Sequence, residues 1–150
     1  MSEENVELHY RAHDTFNRRD LAAHMALADP NVEFTPYEVF VQGGEPYRGH
    51  SGIRSWWEET FEVLPDLRVE TQEVRDLGGR MTFGRGRLRG QGAGSGASFE
   101  RTLWQAIEWR DKKFVWWASF ESEAEALEAA RLRGQGQDLV LGEPREVSEQ

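Results

Sequence analysis

No cysteine occurs in the chain, which excludes a disulfide framework, a thiolate nucleophile and a thiolate-held metal, and fits a reducing compartment. Basic residues are in short supply: 18 Lys and Arg stand against 27 Asp and Glu, a formal net charge of −9. A surface of that sign does not attract phosphate, so general nucleic-acid binding is excluded. No stretch approaches the roughly 18 apolar residues of a membrane-spanning helix. Residues 1–5 (MSEEN) are acidic, where a secretory leader starts basic and turns apolar. The expected setting is the cytoplasm, with neither nucleic acid nor membrane as a partner.

What remains is a chain of 150 residues, enough for one domain that buries about two thirds of its unfolded surface. Residues 4–17 set Val6, His9 or Tyr10, His13 and Phe16 at the three-to-four spacing of one helix face. Asp20 suits the N-cap of a second short helix over 21–28, which Asp29-Pro30-Asn31 ends. A short strand follows at 32–35. After a turn at Gly43-Gly44-Glu45-Pro46, a third helix carries Ile53, Trp56, Trp57, Thr60, Phe61 and Leu64 as its apolar stripe, with Ser51 or His50 as cap. Beyond Pro65-Asp66 the period becomes two, giving four long strands over 67–77, 80–90, 98–109 and 113–121. Gly78-Gly79, a glycine-rich tip at 90–96 and Arg110-Asp111-Lys112 are the hairpin connections. A last helix over about 122–133 opens with Ser122 and Glu125 spaced as a capping box. The domain therefore spans 1–133. Residues 134–150, rich in Gln, Gly and acid, are expected to form a mobile tail.

Several of these pieces, in this order and spacing, resemble the SnoaL-like branch of the NTF2-like superfamily over residues 4–132. They are Phe16-Asn17-Arg18-Arg19-Asp20-Leu21, ADPNVEF at 28–34, PYRGHSGIRSWWEE at 46–59, LPDLRVETQEVRD at 64–76 and WRDKKFV at 109–115. The resemblance implies an α+β cone: a curved antiparallel sheet packed against three N-terminal helices, plus a C-terminal helix. It further implies a pocket between sheet and helices for small, usually apolar molecules, and frequent dimerisation through the outer sheet face. Some members of that superfamily are isomerases, cyclases, dehydratases or epoxide hydrolases, and others catalyse nothing.

Strand alternation sorts the candidate pocket residues. One face of 103–109 carries Leu103, Gln105, Ile107 and Trp109; one face of 113–121 carries Val115, Trp117, Ser119 and Glu121, against Phe114, Trp116, Ala118 and Phe120 on the other. Neither strand has a clean polar side, so one face should meet the helices and the other a second copy of the chain, through Trp104, Trp116 and Phe120. With a hairpin tip near residue 94, Gly84 and Gly86 fall across from Trp104, whose ring could cover them. Family analogy turns Arg85, Arg87 and Arg89 inward, where Glu73 or Glu121 could pair with them; a solvated stripe is the alternative, favoured for Arg89. The ligand-binding candidates are Phe16, Phe34, Trp56, Phe61, Val69, Leu103, Gln105, Ile107, Trp117 and Ser119.

Histidines are the least expected feature, since His9, His13 and His24 stand where relatives carry apolar or aromatic residues. His9 and His13 share a helix face, but no acid stands at metal-ligand spacing, so neither a metal nor a cofactor is expected. His50 reads as a capping or loop residue. The resemblance also tests catalysis. The ketosteroid-isomerase chemistry needs a carboxylate base and two acidic donors, and the matching positions hold Phe34, Ala12 and Gln105. That mechanism is absent. The expected function is binding of a small, largely apolar molecule. The alternatives are a cyclase, isomerase or dehydratase, with His13 or Glu121 as base and Gln105 or Arg87 polarising a carbonyl, and a non-catalytic dimeric interaction module.

Overall fold

A computed structural model describes residues 2–37, 44–92, 94 and 96–141. Its elements are α1 (Ser2–Asn17), α2 (Leu21–Ala26), β1 (Ala28–Thr35), β2 (Tyr47–Arg48), α3 (Gly49–Val63), β3 (Arg68–Gly78), β4 (Met81–Gln91), β5 (Ser98–Arg110), β6 (Lys113–Phe120) and α4 (Glu123–Leu141). The expected α+β order holds: three N-terminal helices, a meander and a final helix. Six strands form one sheet in the order β2-β1-β6-β5-β4-β3. Its pairs are antiparallel except β1–β6, which is parallel. The sheet is therefore mixed rather than wholly antiparallel: no hairpin joins β1 to β6, so no local turn imposes the antiparallel direction on that pair.

Local chemistry explains the connections. The Asp20 carboxylate accepts the Ala23 amide at 3.1 Å and caps α2. Two-residue turns with both central residues at positive φ join β3 to β4 (Gly79 at 56°, Arg80 at 77°) and β5 to β6 (Asp111 at 53°, Lys112 at 67°), the handedness that matches strand twist. At the start of α4, Ser122 Oγ accepts the Glu125 amide at 3.1 Å, while the Glu125 carboxylate accepts the Glu121 amide at 3.3 Å. The capping box is thus shifted by one residue on its return arm. α3 begins at Gly49 with no side-chain cap. Neither Ser51 nor His50 caps it; His50 Nε2 lies 2.9 Å from the Ala28 carbonyl, tying the helix to β1 instead. α4 continues to Leu141 rather than stopping near residue 133, while residues 142–150 of the expected tail lie outside the described residues.

Asn17 locks α1 onto the sheet. Its amide donates to the Val69 carbonyl and accepts the Val69 amide, both at 2.9 Å, so a side chain acts as a short strand beside the edge strand β3. Next to it Arg19, at φ 61°, donates to the Phe16 and Pro65 carbonyls and lays its guanidinium 3.7 Å from the Phe61 ring centre. The ends of α1 and α3 are held together there.

The inner face of the sheet and the three helices enclose the main core, which includes Leu8, Phe16, Val32, Phe34, Ile53, Trp56, Leu67, Ile107, Trp109, Phe114 and Trp117. Phe114 rather than Val115 belongs to it. A bulge between Glu108 and Trp109 pairs Trp109 with Phe114, which reverses the expected faces of those two β6 residues. Part of the outer face is covered within the chain. α4 packs across β4, β5 and β6, burying Ala126 and packing Ala130 with Met81, Ala106, Val115, Trp116 and Ala118. Fully buried Glu108 accepts from Arg133 at 2.7 Å and from Arg110 at 3.1 Å, and the Arg133 guanidinium lies 5.2 Å from the Trp116 ring centre. Trp116, expected to meet a second copy of the chain, packs beside the chain's own C-terminal helix. Trp104 and Phe120 are only half-buried.

Candidate functional site

A cavity of about 210 Å³ opens between the inner sheet face and the helices. Strands supply Phe34, Val69, Leu88, Phe99, Leu103, Gln105, Trp117 and Ser119; helices supply His13, Phe16, His24 and Trp56; Leu64, Leu67, Pro36 and Tyr37 complete the lining. Its rings pack on one another. Phe16 stacks on Trp56 at 5.6 Å, and Phe34 meets Trp56 edge-on at 4.6 Å and Trp117 at 5.6 Å.

Eight of the ten expected binding residues line this space: Phe16, Phe34, Trp56, Val69, Leu103, Gln105, Trp117 and Ser119. Two do not. Ile107 is fully buried in the main core beside the cavity, and Phe61 faces Arg19, Phe16 and Trp57. Two catalytic candidates also fall away. Gly84 and Leu88 point inward on β4, so Arg85, Arg87 and Arg89 point outward. There Arg87 pairs with Glu100 and donates to Thr102 Oγ1 at 3.0 Å, Arg85 pairs with Glu73 at 2.8 Å, and Arg89 pairs with Glu70 at 3.3 Å. The inward expectation rested on analogy, which the pleat of this strand does not follow. Glu121 is exposed and accepts from the Tyr37 hydroxyl at 3.2 Å, outside the lining. Sequence reasoning missed Pro36, Tyr37, Leu64, Leu67 and Phe99, which lie on loops or strand ends where alternation carries little signal, and Leu88, whose face of β4 was assigned the wrong way round.

Two buried histidines, His13 and His24, line the cavity and a third, His9, shares Gln105 with His13; their protons can be assigned from their partners. The Trp109 indole can only donate, and it gives its N–H to Thr82 Oγ1 at 2.9 Å. Thr82 then donates to His9 Nδ1 at 2.8 Å, leaving the His9 proton on Nε2, directed at Gln105 Oε1 at 3.3 Å. Thr71 likewise donates to His13 Nδ1 at 2.6 Å, and His13 Nε2 donates to the same Gln105 oxygen at 2.8 Å. Both nitrogens of both rings are committed. Burial, with the neighbouring His13 charge second, pushes His9 well below the usual imidazole range, and burial holds His13 at about 4. His13 is thus neutral near pH 7 without a free lone pair, which removes it as a ready base.

His24 differs. Thr15 donates its hydroxyl proton to the Ala12 carbonyl at 2.9 Å, so it can only accept from His24 Nδ1–H at 2.8 Å. The proton is fixed on Nδ1, and Nε2 is buried with no hydrogen-bond partner. Burial, then the His13 charge, lowers His24 to about 4. The sequence singled out His24 as unusual without placing it at the site; the missing signal was its tertiary pairing with Thr15.

Gly84 belongs to this network by having no side chain. A Cβ there would lie 2.5 Å from His9 Nε2 and 2.7 Å from His9 Cε1. The His9 ring is buried and bonded at both nitrogens, so it cannot move away cheaply. Trp104 does not cover this glycine: Gly84 pairs with Gln105, and Trp104 stands opposite Arg85 on the outer face. Gly84→Ala is expected to cost about 2–3 kcal/mol, an overpacking penalty. Gly134→Ala, in a helix with nothing near its Cβ site, should stabilise by up to about 1 kcal/mol. Urea denaturation of the pair measures both.

The family model of the SnoaL-like domain matches residues 9–117. No curated protein matches the chain significantly by sequence. Among solved structures, an NTF2-like protein of unknown function from Burkholderia pseudomallei superposes with a TM-score of 0.70 at 21% identity, covering 85% of this chain and 97% of the other. TerC, co-crystallised with polyporic acid, gives 0.68 at 20% identity, covering 85% and 98%. IdmH, a proposed polyketide cyclase from Streptomyces antibioticus, gives 0.67 at 21% identity, covering 85% and 97%. At these identities the likeness establishes the shared fold.

Proposed function

Because this chain belongs to the SnoaL-like domain family, we propose that it works through its cone cavity, binding a small, largely apolar ring molecule there. The observation that carries this reading is the lining: among the described residues it is apolar and aromatic apart from two histidines, Gln105, Ser119 and the Tyr37 hydroxyl, with no charged side chain. Such a space favours transfer of an uncharged ring out of water. A cavity of roughly 150 Å³ holds a benzene-sized ring, so about 210 Å³ suits one or two fused rings. The neighbours TerC, crystallised with polyporic acid, and IdmH support a ring-shaped ligand by analogy of fold.

Naphthalene is the probe. Its titration should saturably change the fluorescence of cavity-lining Trp56 and Trp117, and Leu103→Trp, which fills the space, should weaken binding at least tenfold while leaving the far-ultraviolet circular dichroism intact. The absence of saturable binding to the folded wild-type protein would sink this reading. A cyclase- or isomerase-like enzyme is the second reading, favoured by the unpartnered His24 Nε2. Its handicap is that burial makes His24 a weak base.

A further inference from the structure

Gln105 stands on the cavity wall with an amide whose orientation is not free. Its Oε1 accepts the His13 Nε2 proton at 2.8 Å and faces the His9 Nε2 proton at 3.3 Å. Threonine hydroxyls at the Nδ1 atoms hold both protons on Nε2. A flipped amide would set its NH2 group against two N–H donors, so the flip is closed. The acceptor half of the side chain is spent inside the protein, and the donor half is left over. Gln105 Nε2 has no hydrogen-bond partner among the described residues, yet it is not one of the sealed, unpaired nitrogens, which belong to His24, Trp56, Trp117 and Arg75. Solvent therefore reaches it. Gln105 is 6% exposed and lies on the inner sheet face, so that access comes through the cavity. Ser119 Oγ is in the same position, unpaired and unsealed on a residue that is 3% exposed and lines the same wall. The two residues stand directly opposite each other on β5 and β6, which sets their Cβ atoms about 5 Å apart.

A fixed N–H donor beside a hydroxyl suits one kind of ligand group. A hydrocarbon leaves the N–H unpaired. A carboxylate would enter a lining that, among the described residues, has no cation to balance it. A ligand hydroxyl accepts from Gln105 but must also place its own proton. A carbonyl oxygen carries two lone pairs and no proton, so it takes what both groups give. Resting on the ring-binding reading above, we propose that the cavity selects a neutral ring ketone, whose carbonyl oxygen accepts from Gln105 Nε2–H with the Ser119 hydroxyl beside it. His9 and His13 are then positioning residues. By occupying Oε1 they dictate that the wall presents a donor, which gives the two unusual histidines a task in recognition.

The test titrates 1-indanone, 1-indanol and indane by calorimetry near pH 7 and records the infrared carbonyl stretch of bound 1-indanone. That stretch should lie below its value in hexane. The Gln105 side-chain NH2 signals in ¹⁵N spectra should move several times further with 1-indanone than with indane. In the double variant Gln105→Leu with His13→Phe, the affinity ratio of 1-indanone to indane should drop about tenfold, the worth of one hydrogen bond. Should that variant not fold, the two wild-type spectra decide. A carbonyl stretch equal to that in hexane, Gln105 signals that respond alike to ketone and hydrocarbon, an unchanged ratio in the folded double variant, or tighter binding of 1-indanol than of 1-indanone each overturns the carbonyl proposal. All four leave the ring-binding reading standing. Failure of the three probes and of naphthalene to bind overturns both.

Discussion

Gln105→Leu should lower the stability of the protein by roughly 2–5 kcal/mol, since each ring nitrogen left unpaired in the interior costs about 1–3 kcal/mol. The cause is the double use of one atom: Gln105 Oε1 accepts from both His9 and His13. Shifting tautomer does not rescue either ring, because moving the proton to Nδ1 leaves Nε2 as an orphan acceptor instead. Leucine is close in volume and apolar, so packing alone would make this a mild change. The double variant with His13→Phe separates the two accounts. Removing both partners of a buried hydrogen bond is far cheaper than removing one, so part of the loss should return. Urea midpoints of the two singles and the double give the coupling. A Gln105→Leu protein as stable as the wild type would mean that the histidines are not held as described.

Mild acid should destabilise the protein steeply. His13 and His24 are held down to about 4 in the folded state and His9 well below the usual imidazole range, each chiefly because burial penalises the charged ring. The unfolded chain protonates them near 6.5. Above 6.5 both states hold neutral imidazoles and the folded state has its full advantage. Between 6.5 and 4 the unfolded state binds more protons, so stability falls with falling pH, by about 1.4 kcal/mol per pH unit for each histidine. Three together approach about 4 kcal/mol per unit, a loss few domains of this size withstand. Denaturant midpoints at pH 7.5, 6 and 5 measure it, and His24→Phe should reduce the slope by about a third. A stability unchanged between pH 7.5 and 5 would contradict the burial of all three as neutral rings.

Both expectations depend on contacts between residues up to 96 positions apart, and that distance divides what the chain discloses about itself. Local order was open to reading because its causes are local. Periodicity along α1 and α3, the Asp20 cap, the two-residue turns and the alternation of β5 follow from residues within a few positions of one another. They were enough to name eight of the lining residues, because Leu103, Gln105, Trp117 and Ser119 lie on regular strand and Phe16 and Trp56 on regular helix.

Where a tertiary partner sets the outcome, alternation alone misled. The bulge at Glu108–Trp109 exchanged Phe114 with Val115. The packing of His9 against Gly84 turned the bare side of β4 inward and its arginines outward. The lay of α4 across the outer face buried Trp116 and Glu108 inside the chain. The amino-acid sequence by itself determined the elements, their order and the family. Only the tertiary structure decided that two of the three unusual histidines commit one nitrogen to a shared glutamine and the other to a threonine, while the third keeps one unpaired, since hydrogen-bond partners are a property of three-dimensional neighbours.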